Sequence, residues 1–177
     1  MPDNIAWLLN VRGSDIPTSP VPLSFVLLSR EGSTEWLVNG DKVSALPASV
    51  LDGVIVSPQD DFITRCGQLS GGKRIWLDAD SAPVALRFAI EPQGEILWKA
   101  DPITFIKAVK NPVELAGYRE SHHYDGAAWV NFLAWLSHEV PQRQAAGNPL
   151  TEMEAQAQQL AFRERQPGFI EQSFATI

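Results

Sequence analysis

The sequence predicts an α/β fold, a mixed sheet flanked by helices, followed by the opening of a second, helix-rich α+β unit. Three observations carry this. Short apolar runs of strand length recur through the first 107 residues; helix-opening signals stand between them; and near Asp101-Pro102 the texture changes to long helical periodicity.

Six apolar runs read as strands: Ile5–Val11, Ser24–Leu28, Glu35–Val38, Gly53–Val56, Arg74–Leu77 and Glu95–Trp98. They are rich in β-branched and aromatic residues, and most of the prolines and glycines punctuate this half. Several are unbroken apolar runs rather than alternations, which is the pattern of a sheet covered on both faces. Helices are expected at Pro58–Gln68 and Ser81–Ile90, each opening near Ser and Pro. A short helical stretch, Ile103–Val109, leads to Lys110-Asn111-Pro112, where Asn111 can cap and Pro112 can take the first helical position.

A long helix then follows, with Leu115, Tyr118, His122, Asp125, Trp129, Phe132 and Leu136 spaced by three and four. Pro141 is expected to end it. Thr151-Glu-Met-Glu154 has the form of a capping box and opens another helix to about Arg165, which Pro167-Gly168 stops. The last nine residues, Phe169–Ile177, read as a strand. The expected division is 1–107 for the α/β domain and 108–177 for the start of the second.

Composition narrows the function classes. Apolar residues make up 45% of the chain, enough for a packed core. The net charge of −7 comes without a basic patch interleaved with aromatics, so nucleic acid is not an expected partner. No run of about 18 apolar residues suggests a membrane span. The single cysteine, Cys66, cannot form an internal disulfide and suits a reducing cytoplasm, and Met1-Pro-Asp-Asn lacks the regions of a signal peptide.

Residue types able to do chemistry are few. Gly67-Gln-Leu-Ser-Gly-Gly-Lys73 nearly matches a phosphate-binding loop. Arg74 replaces the magnesium-holding hydroxyl, however, and a strand follows where the anion needs a helix N-terminus. His122-His123-x-Asp125 could be read as metal ligands, but His123 points about 100° away from the face shared by His122 and Asp125. A third ligand is wanting, because His138 lies about four turns along the same helix. A buried His122–Asp125 hydrogen bond is the plainer expectation. Cys66 has no base or orienting group nearby in sequence. Arg12-Gly13-Ser14-Asp15 reads as a turn with a solvated or intramolecular ion pair. The six tryptophans fall mostly in strands or on the helix stripe, which favours core packing.

Three collinear stretches resemble the large, three-domain Xaa-Pro aminopeptidases (aminopeptidase P). Ile5-Ala-Trp-Leu-Leu-Asn-Val-Arg-Gly-Ser-Asp-Ile16 with Pro20-Val21 resembles the start of their middle domain, which is creatinase N-terminal-like. Lys107–Arg119, with His122, Asp125 and Phe132–Leu136, resembles the linker and first helix of their pita-bread catalytic domain. Phe162-Arg163, Gln166, Phe169 and Ser173–Ile177 resemble its second helix and first strand.

The resemblance implies a fragment of a cytoplasmic metallopeptidase that removes the N-terminal residue from peptides with proline second. It also implies two divalent ions, usually manganese, whose bridging water attacks the scissile carbonyl. The family's ligands, two Asp, one His and two Glu, follow the strand at which this chain stops. No catalytic or metal residue is therefore carried over; Phe174 alone matches a substrate-pocket wall. The fragment by itself is expected to be inactive and to bind no metal, and a homodimer is a possible assembly.

The same fold serves prolidases and a creatinase-like hydrolase, and also non-catalytic modules that bind peptides or histones. The Arg-Gly-Ser-Asp start and Lys-Asn-Pro linker favour the aminopeptidase. With no sheet to cover, the stripe from Leu115 to Leu136 should be left exposed and should promote self-association. Limited proteolysis tests this: residues 1–107 should resist digestion, and equal protection of 112–177 in a monomer would count against it.

Overall fold

The computed structural model describes residues 1–44 and 46–174, and the chain divides into two units, 1–109 and 110–177. In the first unit the order is α1 (Pro2–Leu9), β1 (Phe25–Leu28), β2 (Thr34–Leu37), α2 (Gly40–Val43), β3 (Val54–Ser57), α3 (Phe62–Ser70), β4 (Arg74–Leu77), α4 (Val84–Ile90), β5 (Glu95–Trp98) and α5 (Pro102–Ala108). β2 is central to a three-stranded mixed sheet, antiparallel to β1 and parallel to β3; β4 and β5 form a parallel pair.

Alternation along the strands feeds two apolar clusters. Val26, Trp36 and Val54 pack with Ile5 and Leu9 of α1 and Val43 of α2. Leu27, Ile75, Leu77 and Ile96 pack with Phe62 and Cys66 of α3 and Leu86 and Ile90 of α4. Helices thus pack on both faces of β1, through Val26 and Leu27, whereas Ile55 and Val56 of β3 and Trp76 and Trp98 of the β4–β5 pair stay exposed, short of the two-sided cover that unbroken apolar runs imply. Phe25 stacks on Phe62 with centroids 3.9 Å apart.

Between these clusters lies a charge. Glu35 of β2 is 7% exposed. Arg65 Nε of α3 donates to both its oxygens, at 2.9 and 3.0 Å, and Ser57 Oγ at the end of β3 donates at 2.7 Å. One carboxylate ties β2, β3 and α3 together.

The expected strand Ile5–Val11 is instead mostly helix. Pro2 occupies an opening helical position, with Asp3 in the first turn. Asn10, in the left-handed region at φ 51°, closes the helix, and the N–H of Val11 returns to the carbonyl of Ala6 at 3.0 Å. These end signals outweigh the β-like composition. α1 is clasped to α5: Asn4 donates to Asp101 at 2.7 Å and to Thr104 at 2.9 Å, and Asp3 pairs with Lys107. Partial burial works to raise the Asp3 carboxyl, but the Lys107 hydrogen bond and charge outweigh it and hold it below its ordinary value.

The second unit is a helical hairpin, α6 (Pro112–Ala145) and α7 (Glu152–Glu164). Both helices open with the capping boxes the sequence implies, Asn111 with Glu114 and Thr151 with Glu154. Pro141 does not end α6; it lies inside it. It removes one backbone bond, while the turn beyond is held by Arg143, which pairs with Glu139 at 3.3 Å and with Glu154 at 2.6 Å. The actual stop is Gly147, left-handed at φ 72°, with the N–H of Asn148 returning to the carbonyl of Arg143. Phe169–Phe174 form no strand, because a strand needs a neighbour for its backbone groups. Residues 175–177 of that expected strand lie outside the described residues.

Replacing Glu35 should be costly, since it leaves Arg65 and Ser57 unpaired beside the core. Glu35→Ala should lower the unfolding free energy by about 2 kcal/mol in urea denaturation, and a loss within about 0.5 kcal/mol, the scale of a surface substitution, would refute this account.

Candidate functional site

The groups singled out from the sequence do not converge. Gly67 lies within α3, where a Cβ would sit 3.1 Å from the carbonyl of Ala89 on α4. Past α3, Gly72 turns the chain at φ 64° into β4. The backbone N–H groups of Gly72 and Lys73 are spent on Gln93 and Ser70, each at 2.9 Å, so no cradle of free donors is left for a phosphate.

Cys66 is buried in α3. Burial, with the nearby Glu35 charge second, pushes its thiol up to about 11, the reverse of an activated nucleophile. Asp15 accepts from the backbone N–H of Leu23 and from Lys42 Nζ, both at 2.6 Å, so the turn's ion pair is intramolecular but does not use Arg12. The Lys42 hydrogen bond, then that of Leu23, holds the Asp15 carboxyl below its ordinary value. Arg12 is exposed and donates to the carbonyl of Val11. Of the tryptophans, Trp36 is buried, whereas Trp76, Trp98 and Trp129 are 40–48% exposed, which corrects the expectation of core packing. Trp76 lies at the surface, its Nε1 donating to the carbonyl of Lys99 and its ring under the Lys99 ammonium.

The expected buried His122–Asp125 hydrogen bond is not formed. Both histidines are exposed, and His122 Nδ1 lies 2.7 Å from the carbonyl of Tyr118. Asp125 turns to α7, where Arg163 donates to it at 2.7 and 3.2 Å. A guanidinium offers a planar, two-pronged, fully charged donor that imidazole cannot match. The Arg163 guanidinium also lies over the ring of Trp129, which meets Phe132 edge-on.

Around this ion pair the second unit forms an open cleft of about 560 Å³, lined on α6 by Gly117, Glu120 and Tyr124, and beyond α7 by Pro167, Phe169 and Ile170. Phe174 is 68% exposed and is not among the residues lining this cleft. Among the described residues no three His, Cys, Asp or Glu side chains come together as a metal site. With Asp125 committed to Arg163 and Cys66 protonated in the core, the residues present do not fit a pair of divalent ions. The cleft offers shape, the Asp125–Arg163 ion pair and a Tyr124 hydroxyl that donates to Glu120 at 3.3 Å.

A family model described as creatinase/prolidase N-terminal domain matches residues 1–114. The chain belongs to the creatinase/prolidase N-terminal domain family. Its match to named proteins runs further. It is 36% identical over 180 residues to Xaa-Pro aminopeptidase 1 of Dictyostelium discoideum, covering 99% of this chain and 28% of that protein. It is 34% identical over 186 residues to Probable Xaa-Pro aminopeptidase P of Aspergillus flavus, covering 100% and 28%. With the protein of the same name from Arthroderma benhamiae, identity is 33% over 184 residues, covering 99% and 26%. This creatinase/prolidase N-terminal family chain therefore spans little more than a quarter of the length of those relatives. No helix is long and apolar enough to cross a membrane among the described residues.

Sequence reasoning missed the two ion pairs that organise each unit, Glu35–Arg65 and Asp125–Arg163. The second was within reach, since both residues fall in the stretches that carry the family resemblance. Glu154 gives a pH test of the hairpin. The backbone N–H of Thr151, then Arg143 and the Thr151 hydroxyl, hold its carboxyl down at about 2 from an ordinary 4.5. A depressed folded value means that the contribution is present above pH 4.5 and is lost as pH falls towards 2. Helicity of the hairpin should decline across that window, and Glu154→Gln should flatten the decline; an unchanged profile in the variant would refute the assignment.

Proposed function

We propose that this chain is the scaffold portion of an Xaa-Pro aminopeptidase, a cytoplasmic metallopeptidase that removes the N-terminal residue from peptides with proline at the second position. Residues 1–107 serve as its middle, creatinase N-terminal-like domain, and residues 108–177 as the opening helices of its pita-bread catalytic domain. What supports this most is alignment with named Xaa-Pro aminopeptidases over 99–100% of the chain, across both units rather than the family-matched first one alone. Two metal ions, manganese by the family resemblance, would supply an activated water and neutralise the oxyanion. Their ligands are assigned to parts of such a protein other than these residues.

What this chain's own residues do is hold geometry. The Glu35 network fixes the α/β layer. Asp125–Arg163 and Arg143–Glu154 fix the angle and register of the two helices on which a catalytic sheet would rest. Phe174 is assigned to the wall of the substrate pocket of the complete protein. Substrate peptides are the partners of that protein, and a homodimer is its proposed assembly.

A chimera tests the reading. These 177 residues, substituted for the aligned stretch of the Dictyostelium Xaa-Pro aminopeptidase 1, should give a soluble protein that still cleaves before proline. The 177-residue chain alone, with manganese added, should not. A folded but inactive chimera, or cleavage by the isolated chain, would overturn it.

A further inference from the structure

We propose that Asn39-Gly40 is a site of spontaneous covalent modification, at which the carboxamide of Asn39 is lost through a succinimide. Of the six asparagines, Asn39 alone is followed by glycine. It is exposed, at the corner between β2 and the single turn of α2. Its Oδ1 accepts from the N–H of Asp41 at 3.0 Å, the single hydrogen bond that holds the carboxamide in place among the described residues. The Gly40 N–H opens α2 and has no acceptor among the described residues. Gly40 adds no steric hindrance, and the space around it is open: a Cβ there would meet nothing within 4 Å.

The chemistry needs only water. The deprotonated Gly40 nitrogen attacks Cγ of Asn39; the N–Cγ bond forms, the Cγ–Nδ2 bond breaks, and ammonia leaves with the proton. Water then opens the five-membered ring at either carbonyl, giving aspartate or isoaspartate at position 39. Ring closure requires ψ of Asn39 to leave its present 123° and so to release the cap. A helix of four residues has little cooperative resistance to that opening.

The other asparagines are disfavoured. Asn111 and Asn148 precede proline, which has no N–H to deprotonate, while Asn4 and Asn131 lie inside α1 and α6. Asn10 precedes the branched Val11, whose N–H is bonded to Ala6.

The two products differ in consequence. Aspartate adds a negative charge but remains a good helix cap. Isoaspartate routes the main chain through the side chain, lengthening a corner whose neighbours Val38 and Val43 are both in the core. The isoaspartate form should therefore unfold at a lower temperature, and Asn39→Asp should not.

Incubation of the folded chain at mildly alkaline pH, followed by peptide mapping and enzymatic isoaspartate detection, tests this. The NH2-to-OH mass gain should fall on the peptide containing residue 39 and quicken with pH. Gly40→Ala, which the open space accommodates, should slow it several-fold without unfolding the protein. Conversion at other asparagines first, conversion only in a urea-unfolded control, or an equal rate in Gly40→Ala would each overturn the proposal.

Discussion

A carboxylate in the interior sets the terms for the first unit. Glu35 lies on the central strand, next to residues that are among the most buried in the chain, and its carboxylate is met there by Arg65 at both oxygens and by Ser57 at one. Satisfying it requires α3 to lie across the strands at one register. The same register places Cys66 of α3 in the cluster with Leu86 and Ile90 of α4, and Phe62 flat against Phe25. An apolar residue at position 35 could bury comparable surface, but would not single out one placement of α3 in the same way.

The second unit solves a different problem, with little core to work with. Ala128 and Phe132 are the buried apolar residues of α6, whereas Val113, Val130, Leu133 and Met153 are more than half exposed. Helix ends and charged pairs therefore carry much of the specification. Two capping boxes, the glycine stop after α6, and the arginines at 143 and 163 all constrain how α7 returns along α6. Charged pairs at partly exposed positions contribute about 0–1 kcal/mol each, so they set geometry more than they set stability.

Function follows from how the polar groups are spent. Asp15, Glu35, Asp125 and Glu154 each accept from a positioned cation, and Asp78 accepts from the backbone N–H groups of Asp101 and Asp80, which hold its carboxyl low. Groups used in this way orient helices and strands; they are not left poised for proton transfer. That agrees with membership of an N-terminal domain family.

What the sequence determined was everything whose cause is local. Five of its seven strands, most of the helix expected at Ser81–Ile90, both capping boxes and the glycine-rich turn before β4 rest on residues within a few positions of one another, and they stand where the residue pattern places them. Tertiary structure decided the rest. Where α1 docks, once its own end signals have made it a helix, depended on a clasp to Asp101 and Thr104, 97 and 100 positions away. Whether Pro141 ended α6 depended on Glu154 reaching back to Arg143, and whether Asp125 faced histidine or arginine depended on the return of α7. The physical reason is one of range: caps and turns act through neighbouring backbone groups, whereas the partner of a charge is chosen among all groups that folding brings within about 4 Å.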